Sequence, residues 1–263
     1  SKFTKTIMMN ILITGATSGI GKATAEEFAK HGYSLILCGR REDRLKELAD
    51  HLVSTYKITA TYLSFDLQKY DEVKKAIASL SPPFDQIDVL LNNAGLASGL
   101  DYIQEGNLDD WETMIDTNVK GLLYITRLVS PQMVARKSGQ IINICSTAGK
   151  DAYARGNVYC ATKAAVDMLT QTMRLDLYTH GIRVSQVAPG MVEETEFSKV
   201  RFHGDEEKAK IYKDFNPLTS KDVAEIIYFT ASRPMHVNIQ DILVMGTQQA
   251  GSNFVDRSGR KYD

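Results

Sequence analysis

Ser146 stands just past the apolar run Gln140-Ile141-Ile142-Asn143-Ile144-Cys145, and thirteen residues later comes Tyr159-Cys160-Ala161-Thr162-Lys163. The run reads as a buried strand that delivers the serine at its carboxyl end. The later segment, rich in Ala, Met, Leu and Thr, reads as a helix, on which residues four apart share one face. A free phenol titrates near about pH 10, and an ammonium held close by favours the phenolate. Tyr159 with Lys163 is therefore expected to act as a general acid/base near neutral pH. Ser146 adds a hydroxyl donor where a carbonyl oxygen would gain charge. A second Tyr-x-x-x-Lys pair, Tyr70 and Lys74, follows no strand-end serine, sits among charges, and reads as a solvated helix face.

The N-terminal region supplies a different chemistry. The strand-like Ile7-Met8-Met9-Asn10-Ile11-Leu12-Ile13 runs into Thr14-Gly15-Ala16-Thr17-Ser18-Gly19-Ile20-Gly21, and an amphipathic helix follows, ending at His31-Gly32. Strand, glycine loop and helix start make a dinucleotide cradle: one glycine for the tight turn, one for backbone approach to phosphate, one for helix-on-strand packing. Helix N–H groups then face the pyrophosphate. The bland alternative, a glycine-rich turn without a ligand, loses ground because the Ser146–Tyr159–Lys163 set is also present.

Together these residues resemble the short-chain dehydrogenase/reductase family in its single-domain form, over about residues 7 to 246. The resemblance implies that Gly15, Thr17, Ser18, Gly19, Ile20 and Gly21 hold the cofactor. It places Asp66, after the third strand, near the adenine ring, and makes Asn92, Ala94 and Gly95 of Asn-Asn-Ala-Gly cofactor contacts. Pro189, Gly190, Val192 and Thr195 fall beside the nicotinamide site. Asn118 matches the catalytic asparagine that anchors a water linking Lys163 to solvent, and Lys163 also bonds the nicotinamide ribose. The structural alternative for Asn118 is a polar residue satisfying a buried helix turn. Within the family, the stretch from Pro189 to Phe202 resembles the NADP-dependent 3-hydroxy acid dehydrogenases, also described as serine or allo-threonine dehydrogenases, and Asp151-Ala152-Tyr153 fits that group too.

Cofactor choice is read at the end of the second strand. Enzymes that use NAD usually place an acid there for the ribose 2′-hydroxyl. Here Leu35-Ile36-Leu37-Cys38 leads into Gly39-Arg40-Arg41, and no acid appears before Glu42. Guanidinium groups give paired, charge-assisted bonds to phosphate, so Arg40 and Arg41 predict NADP. The alternative is that both are solvated residues at a helix start.

Apolar strands are expected near 7–14, 33–39, 59–65, 87–92, 140–146, 182–188 and 239–245, separated by helices. That alternation predicts an α/β chain: one Rossmann domain over 1–263 with a seven-stranded parallel sheet flanked by helices on both faces. The family order is 3-2-1-4-5-6-7. Helices near 107–135 and 157–178 carry apolar residues on more than one face, among them Leu122, Leu123, Met168 and Leu169, and must be buried on a second side. In the family they form a four-helix dimer interface, and a homotetramer is expected. Residues 191–216 are expected to cover the substrate, and 250–263 form a polar tail that crosses a subunit interface or is disordered. Because the chain does not begin with Met, residues 1–6 are expected to include vector-derived positions.

With 43% hydrophobic residues the chain can fill a large core, and a formal net charge of −1 advertises neither nucleic acid nor anionic lipid. No apolar run approaches the ~20 residues of a membrane span, and residues 1–6 lack a signal-peptide core. Cys38, Cys145 and Cys160, odd in number and far apart, point to a reducing, cytoplasmic compartment rather than a disulfide framework. No His or Cys pair has metal-ligand spacing, so no metal is expected.

The substrate is read as a small polar molecule, with Arg201 and Arg155 as candidate partners for a carboxylate. The rivals are a general ketone or 3-oxoacyl reductase, and a module that senses the dinucleotide without turning over. The latter tends to lose the catalytic tyrosine or lysine, and both are present.

Overall fold

The computed structural model describes residues 8–193, 196–204, 212 and 214–262, with residues 197 and 198 in backbone only. Seven strands form one parallel sheet: β1 (Asn10–Thr14), β2 (Ser34–Gly39), β3 (Ala60–Ser64), β4 (Val89–Asn92), β5 (Gly139–Ile144), β6 (Ile182–Pro189) and β7 (Asp241–Val244). Their order is β3-β2-β1-β4-β5-β6-β7, and every pairing is parallel. The expected strands are therefore all present, in the order the resemblance implies, most of them shorter by a residue or more at one or both ends.

Helices cover both faces: α1 (Gly19–Lys30), α2 (Glu42–Tyr56), α3 (Tyr70–Ala78), α4 (Leu108–Ile115), α5 (Leu122–Arg136), α6 (Asn157–Leu177), the short α7 (Phe197–Arg201) and α8 (Ser220–Ala231). The two-residue alternation of the strands splits the core into two layers. Ile11, Ile13, Leu35, Leu37, Val89 and Leu91 pack with Phe28 of α1, Leu45 and Leu52 of α2 and Ile227 of α8. Leu12, Ile36, Leu90 and Ile141 point the other way, to Val73 of α3, Ile125 and Val129 of α5, and Val166 of α6. Each such fully buried aliphatic side chain contributes roughly 1.5–3 kcal/mol against exposure. A sheet buried on both faces explains why β1, β2 and β4 read as nearly unbroken apolar runs.

Two expectations need correction. The helix expected over 107–135 is not one regular α-helix: a π-helical turn over Asp116–Gly121 separates α4 from α5. Nor is the tail disordered among its described residues. Gln249–Gly251 (β8) pairs antiparallel with Phe254–Val255 (β9), Ser252 bonds Asp151 through its N–H and its hydroxyl, and Arg257 pairs with Asp214 at 2.6 Å. Residues 1–6 lie outside the described residues. No described helix is long and apolar enough to cross a membrane.

Candidate active site

The carboxyl ends of β1, β2, β4, β5 and β6 converge on one cleft of about 1240 Å³, where an open doubly wound sheet places its ligands. Its floor starts at Thr14, whose Oγ1 accepts the N–H groups of Asn93 and Ala94 at 3.0 and 2.9 Å. Gly15 follows in the left-handed region, φ 64°. A Cβ on Gly21 would lie 2.1 Å from the Gly15 carbonyl oxygen and 2.6 Å from Asn93 Nδ2. Only glycine lets α1 close so tightly on the turn. Gly15, Thr17, Ser18, Gly19 and Ile20 line the cleft, whereas Gly21 acts beneath it through packing. The Ser18 side chain makes no capping bond to α1, so the first N–H groups of that helix remain available to an anion. These residues fit a dinucleotide pyrophosphate.

β5 delivers Ser146 to the cleft, with its Oγ accepting the Ala148 N–H at 3.1 Å. α6 presents Tyr159 and Lys163 on the same side, both buried. The Lys163 ammonium donates to the Ile144 carbonyl at 3.1 Å and stands 6.0 Å from the centre of the Tyr159 ring. Burial pushes the Tyr159 phenol well above its ordinary pKa, the neighbouring Tyr153 adds to the rise, and the Ser146 hydrogen bond and the Arg201 charge oppose it. Burial likewise pulls the Lys163 ammonium down. Desolvation dominates both groups, the Lys163 ammonium donates to a backbone carbonyl, and the Arg201 charge joins the expected Lys163 in standing near the phenol and opposes the rise. Burial also raises the Cys145 thiol, and all three cysteines are free and buried, which suits filler rather than nucleophile.

Asn118 lies in the π-helical turn and does not line the cleft. Its side chain is spent on structure: Oδ1 accepts from the Leu96 N–H at 2.9 Å, and Nδ2 donates to the Leu96 carbonyl at 2.8 Å and Thr162 Oγ1 at 3.1 Å. The structural alternative therefore accounts for the side chain, and a water anchor would have to be the main chain.

Asn92 also needs correction. It is buried beneath the cleft, donating to Thr126 Oγ1 and Asn143 Oδ1 at 3.0 and 2.9 Å. Strand alternation turns it sideways, and the next residue, Asn93, lines the cleft and donates to the Thr14 and Gly15 carbonyls. Ala94, Gly95, Asp66, Pro189, Gly190 and Val192 line the cleft; Thr195 lies outside the described residues. The two arginines after β2 differ. Arg41 donates to Thr17 Oγ1 at 2.9 Å, while exposed Arg40 lines the cleft. Arg44, not anticipated from sequence, joins Arg41 in holding Glu196.

On the substrate side, Arg201 lies 5.7 Å over the Tyr159 ring and 5.2 Å over the Tyr153 ring. Its Nε and Nη2 are buried, with no hydrogen-bond partner among the described residues. Arg155 lines the cleft mouth, exposed and 5.8 Å over the Tyr102 ring. Ser252, Asn253 and Gln249 of the tail region complete this wall. Their sequence signal was only polarity, and their placement depends on contacts of Ser252 with Asp151, Asn253 with Ala152 and Gln249 with Met191 that local pattern does not encode. Among the described residues no group of three or more His, Cys, Asp or Glu could hold a metal.

Residues 9–206 match the family model of the short chain dehydrogenases. The chain is 46% identical over 243 residues to the NADP-dependent 3-hydroxy acid dehydrogenase YdfG of Salmonella typhi, covering 92% of this chain and 96% of that one. It is 46% identical over 250 residues to sulfoacetaldehyde reductase 2 of Chromohalobacter salexigens, covering 94% and 98%. Among solved structures, the closed form of a serine dehydrogenase complexed with NADP+ superposes with a TM-score of 0.88 at 44% identity, over 94% of this chain and 98% of that one. Glycine cradle, paired Tyr159 and Lys163, strand order and these matches agree: the chain belongs to the short chain dehydrogenase family and is an oxidoreductase acting at CH–OH groups.

Proposed function

We propose that the chain oxidises small 3-hydroxy acids, with serine and allo-threonine as the named candidates, and reduces the corresponding 3-oxo acids, using NADP. The observation that carries the substrate class is Arg201: a guanidinium beside Tyr159 and hydrogen-bonded to Tyr153, with Nε and Nη2 buried and without a hydrogen-bond partner among the described residues. Such a group asks for an anion, and a carboxylate entering a pocket loses water and needs a cation in return. The names of the 3-hydroxy acid and serine dehydrogenase relatives agree with that class. The cofactor is NADP: relatives carry it in name or in structure, and Arg41 with Thr17 stands where a 2′-phosphate would arrive.

The cofactor supplies the hydride acceptor in oxidation and the donor in reduction. The remaining steps fall to the chain. Tyr159 takes the substrate hydroxyl proton during oxidation and returns it during reduction. Ser146 donates a hydrogen bond to the reacting oxygen. Lys163 and the glycine loop hold the cofactor against the sheet edge, and Arg201 orients the substrate by its acid group, so that the 3-position rather than the carboxylate faces the chemistry. The substrate-covering role expected of 191–216 rests on its described residues that line the cleft, among them Met191, Val200, Arg201 and Phe202; residues 194, 195, 205–211 and 213 lie outside the described residues. Exposed Met168, Leu175 and Tyr178 on and just after α6, with Leu123 on α5, favour an interface between copies of the chain, and the homotetramer is the assembly that the family resemblance implies. The three free cysteines favour a cytoplasmic setting.

The test is a panel of serine, allo-threonine, other 3-hydroxy acids, a hydroxyalkyl sulfonate and uncharged alcohols, followed at the nicotinamide absorbance. Arg201→Ala should impair the acids far more than the uncharged alcohols, which lose only the effect of the Arg201 charge on Tyr159. Good turnover of neutral ketones with none on any 3-hydroxy acid would establish the general reductase. Cofactor binding with no turnover of any carbonyl compound would establish the sensing module.

A further inference from the structure

The Glu196 carboxylate is shared between two guanidiniums. Arg41 Nη2 lies 3.2 Å from Oε2, and Arg44 Nη1 lies 3.3 Å from Oε1. The same Arg41 nitrogen donates to Thr17 Oγ1 at 2.9 Å. Thr17 belongs to the glycine loop, the arginines to the start of α2, and Glu196 to the segment after β6, more than 150 positions away from both arginines. One acid bridging two arginines, one oxygen to each, makes the contacts that a phosphate would make in its place.

The location gives this contact its meaning. The end of the second strand is where doubly wound folds read the ribose 2′ position, an acid there favouring the free hydroxyl and arginine the phosphate. Sequence around β2 offers no such acid, yet the fold brings one in from afar. Glu196 and Arg41 both line the cleft. The hydrogen bond and charge of Arg41, with those of Arg44, hold the Glu196 carboxyl below its ordinary pKa against a smaller effect of burial, so at neutral pH it is an anion. A 2′-phosphate and this carboxylate cannot both sit on the two guanidiniums without like-charge repulsion.

We propose that Glu196 is a cofactor-specificity determinant: it occupies the anion position formed by Arg41 and Arg44, NADP must displace it, and NAD need not. Arg44 is accordingly the second arm of the 2′-phosphate site. The inference rests on NADP being the cofactor, as proposed above. Because the ion pairs are half-exposed, displacement opposes NADP weakly, enough to trim the preference and not to reverse it.

Calorimetric titration of the full chain with NADP+ and with NAD+ tests this, using wild type, Glu196→Gln and Arg44→Ala. Glu196→Gln keeps size and removes charge, and should tighten NADP+ by about two- to tenfold while leaving NAD+ unchanged or weaker. Arg44→Ala should weaken NADP+ by roughly tenfold and spare NAD+. No change in NADP+ affinity on Glu196→Gln, or an equal gain for both cofactors, overturns the proposal. Tighter NADP+ binding by Arg44→Ala also overturns it, since Arg44 would then only anchor the acid. Wild type preferring NAD+ sinks the cofactor reading as well; a silent Glu196→Gln with the NADP+ preference intact sinks this inference alone.

Discussion

The Arg201 guanidinium carbon stands 5.7 Å from the centre of the Tyr159 ring, nearer than the Lys163 ammonium at 6.0 Å. The Tyr159 ring thus has one cation near it from α6, bonded to the Ile144 carbonyl, and one from α7. The α7 cation, Arg201, is the charge that opposes the effect of burial on the phenol.

A pH dependence follows. To act as base, Tyr159 must lose its proton, so kcat/KM for oxidation of an uncharged alcohol should rise with pH, since this parameter reports the free enzyme. Arg201→Gln should move the rise to higher pH, and Arg201→Lys should move it less. A profile unmoved by Arg201→Gln would show that the guanidinium serves the substrate alone. Stability carries the same sign. A phenol whose folded pKa lies above its unfolded value contributes stability that is present below about pH 10 and lost as pH rises further. Wild type should accordingly lose more stability above that pH than Tyr159→Phe, as read by denaturant midpoints.

Tyr159→Phe retains the ring packed against Arg201 and removes its titrating atom. Turnover should fall by at least about 10²-fold with dinucleotide affinity retained. Near-wild-type turnover of the purified variant would remove the proposed mechanism.

The two arginines after β2 should behave unequally. Arg41 is bonded to the glycine loop through Thr17, and Arg40 is exposed. Arg41→Ala should raise KM for NADP+ by roughly ten- to a hundredfold, the equivalent of about 1.5–3 kcal/mol for a charge-assisted bond, with little change for NAD+. Arg40→Ala should do less. Steady-state kinetics with both cofactors decide, and equal loss on both would detach Arg41 from the phosphate.

Much of this molecule is legible in its sequence because the informative contacts are local. The glycine loop, the strand-end serine and the Tyr159–Lys163 spacing each lie within a turn or two, and strands buried on both faces announce themselves by composition. What failed lay either in single-residue backbone detail or in contacts between distant segments. Asn92 and Asn93 differ only in which way a strand end turns, and side-chain alternation decides that by one residue. Arg44 gains its role from Glu196, and the tail gains its order from Asp151; sequence distance hides both contacts. The π-helical turn at 116–121 has no marker that separates it from ordinary helix, although it holds Asn118 against Leu96.

Gly21→Ala tests the cradle. A Cβ 2.1 Å from the Gly15 carbonyl has a backbone atom in its way, so α1 or the turn must shift. Overpacking of this kind costs about 1–3 kcal/mol or more. The thermal midpoint should drop, and dinucleotide affinity should fall further than stability alone explains. Wild-type affinity in a folded Gly21→Ala variant would show that the loop tolerates a wider turn.

The adjacency of β1 and β4 also shapes how the chain is made. β1 pairs on one side with β2, which follows closely, and on the other with β4, whose register joins Ile11, Leu12 and Ile13 to Val89, Leu90 and Leu91. Chains fold from the amino end as they leave the ribosome. The first three strands thus emerge as a half-sheet whose inner edge, β1 with Ile11, Leu12 and Ile13 at its centre, is left open until β4 arrives. Open apolar edges recruit other chains. The centre of the finished sheet is therefore the nascent chain's most exposed seam, and synthesis paused between α3 and β4 is the stage at which aggregation or chaperone capture is favoured.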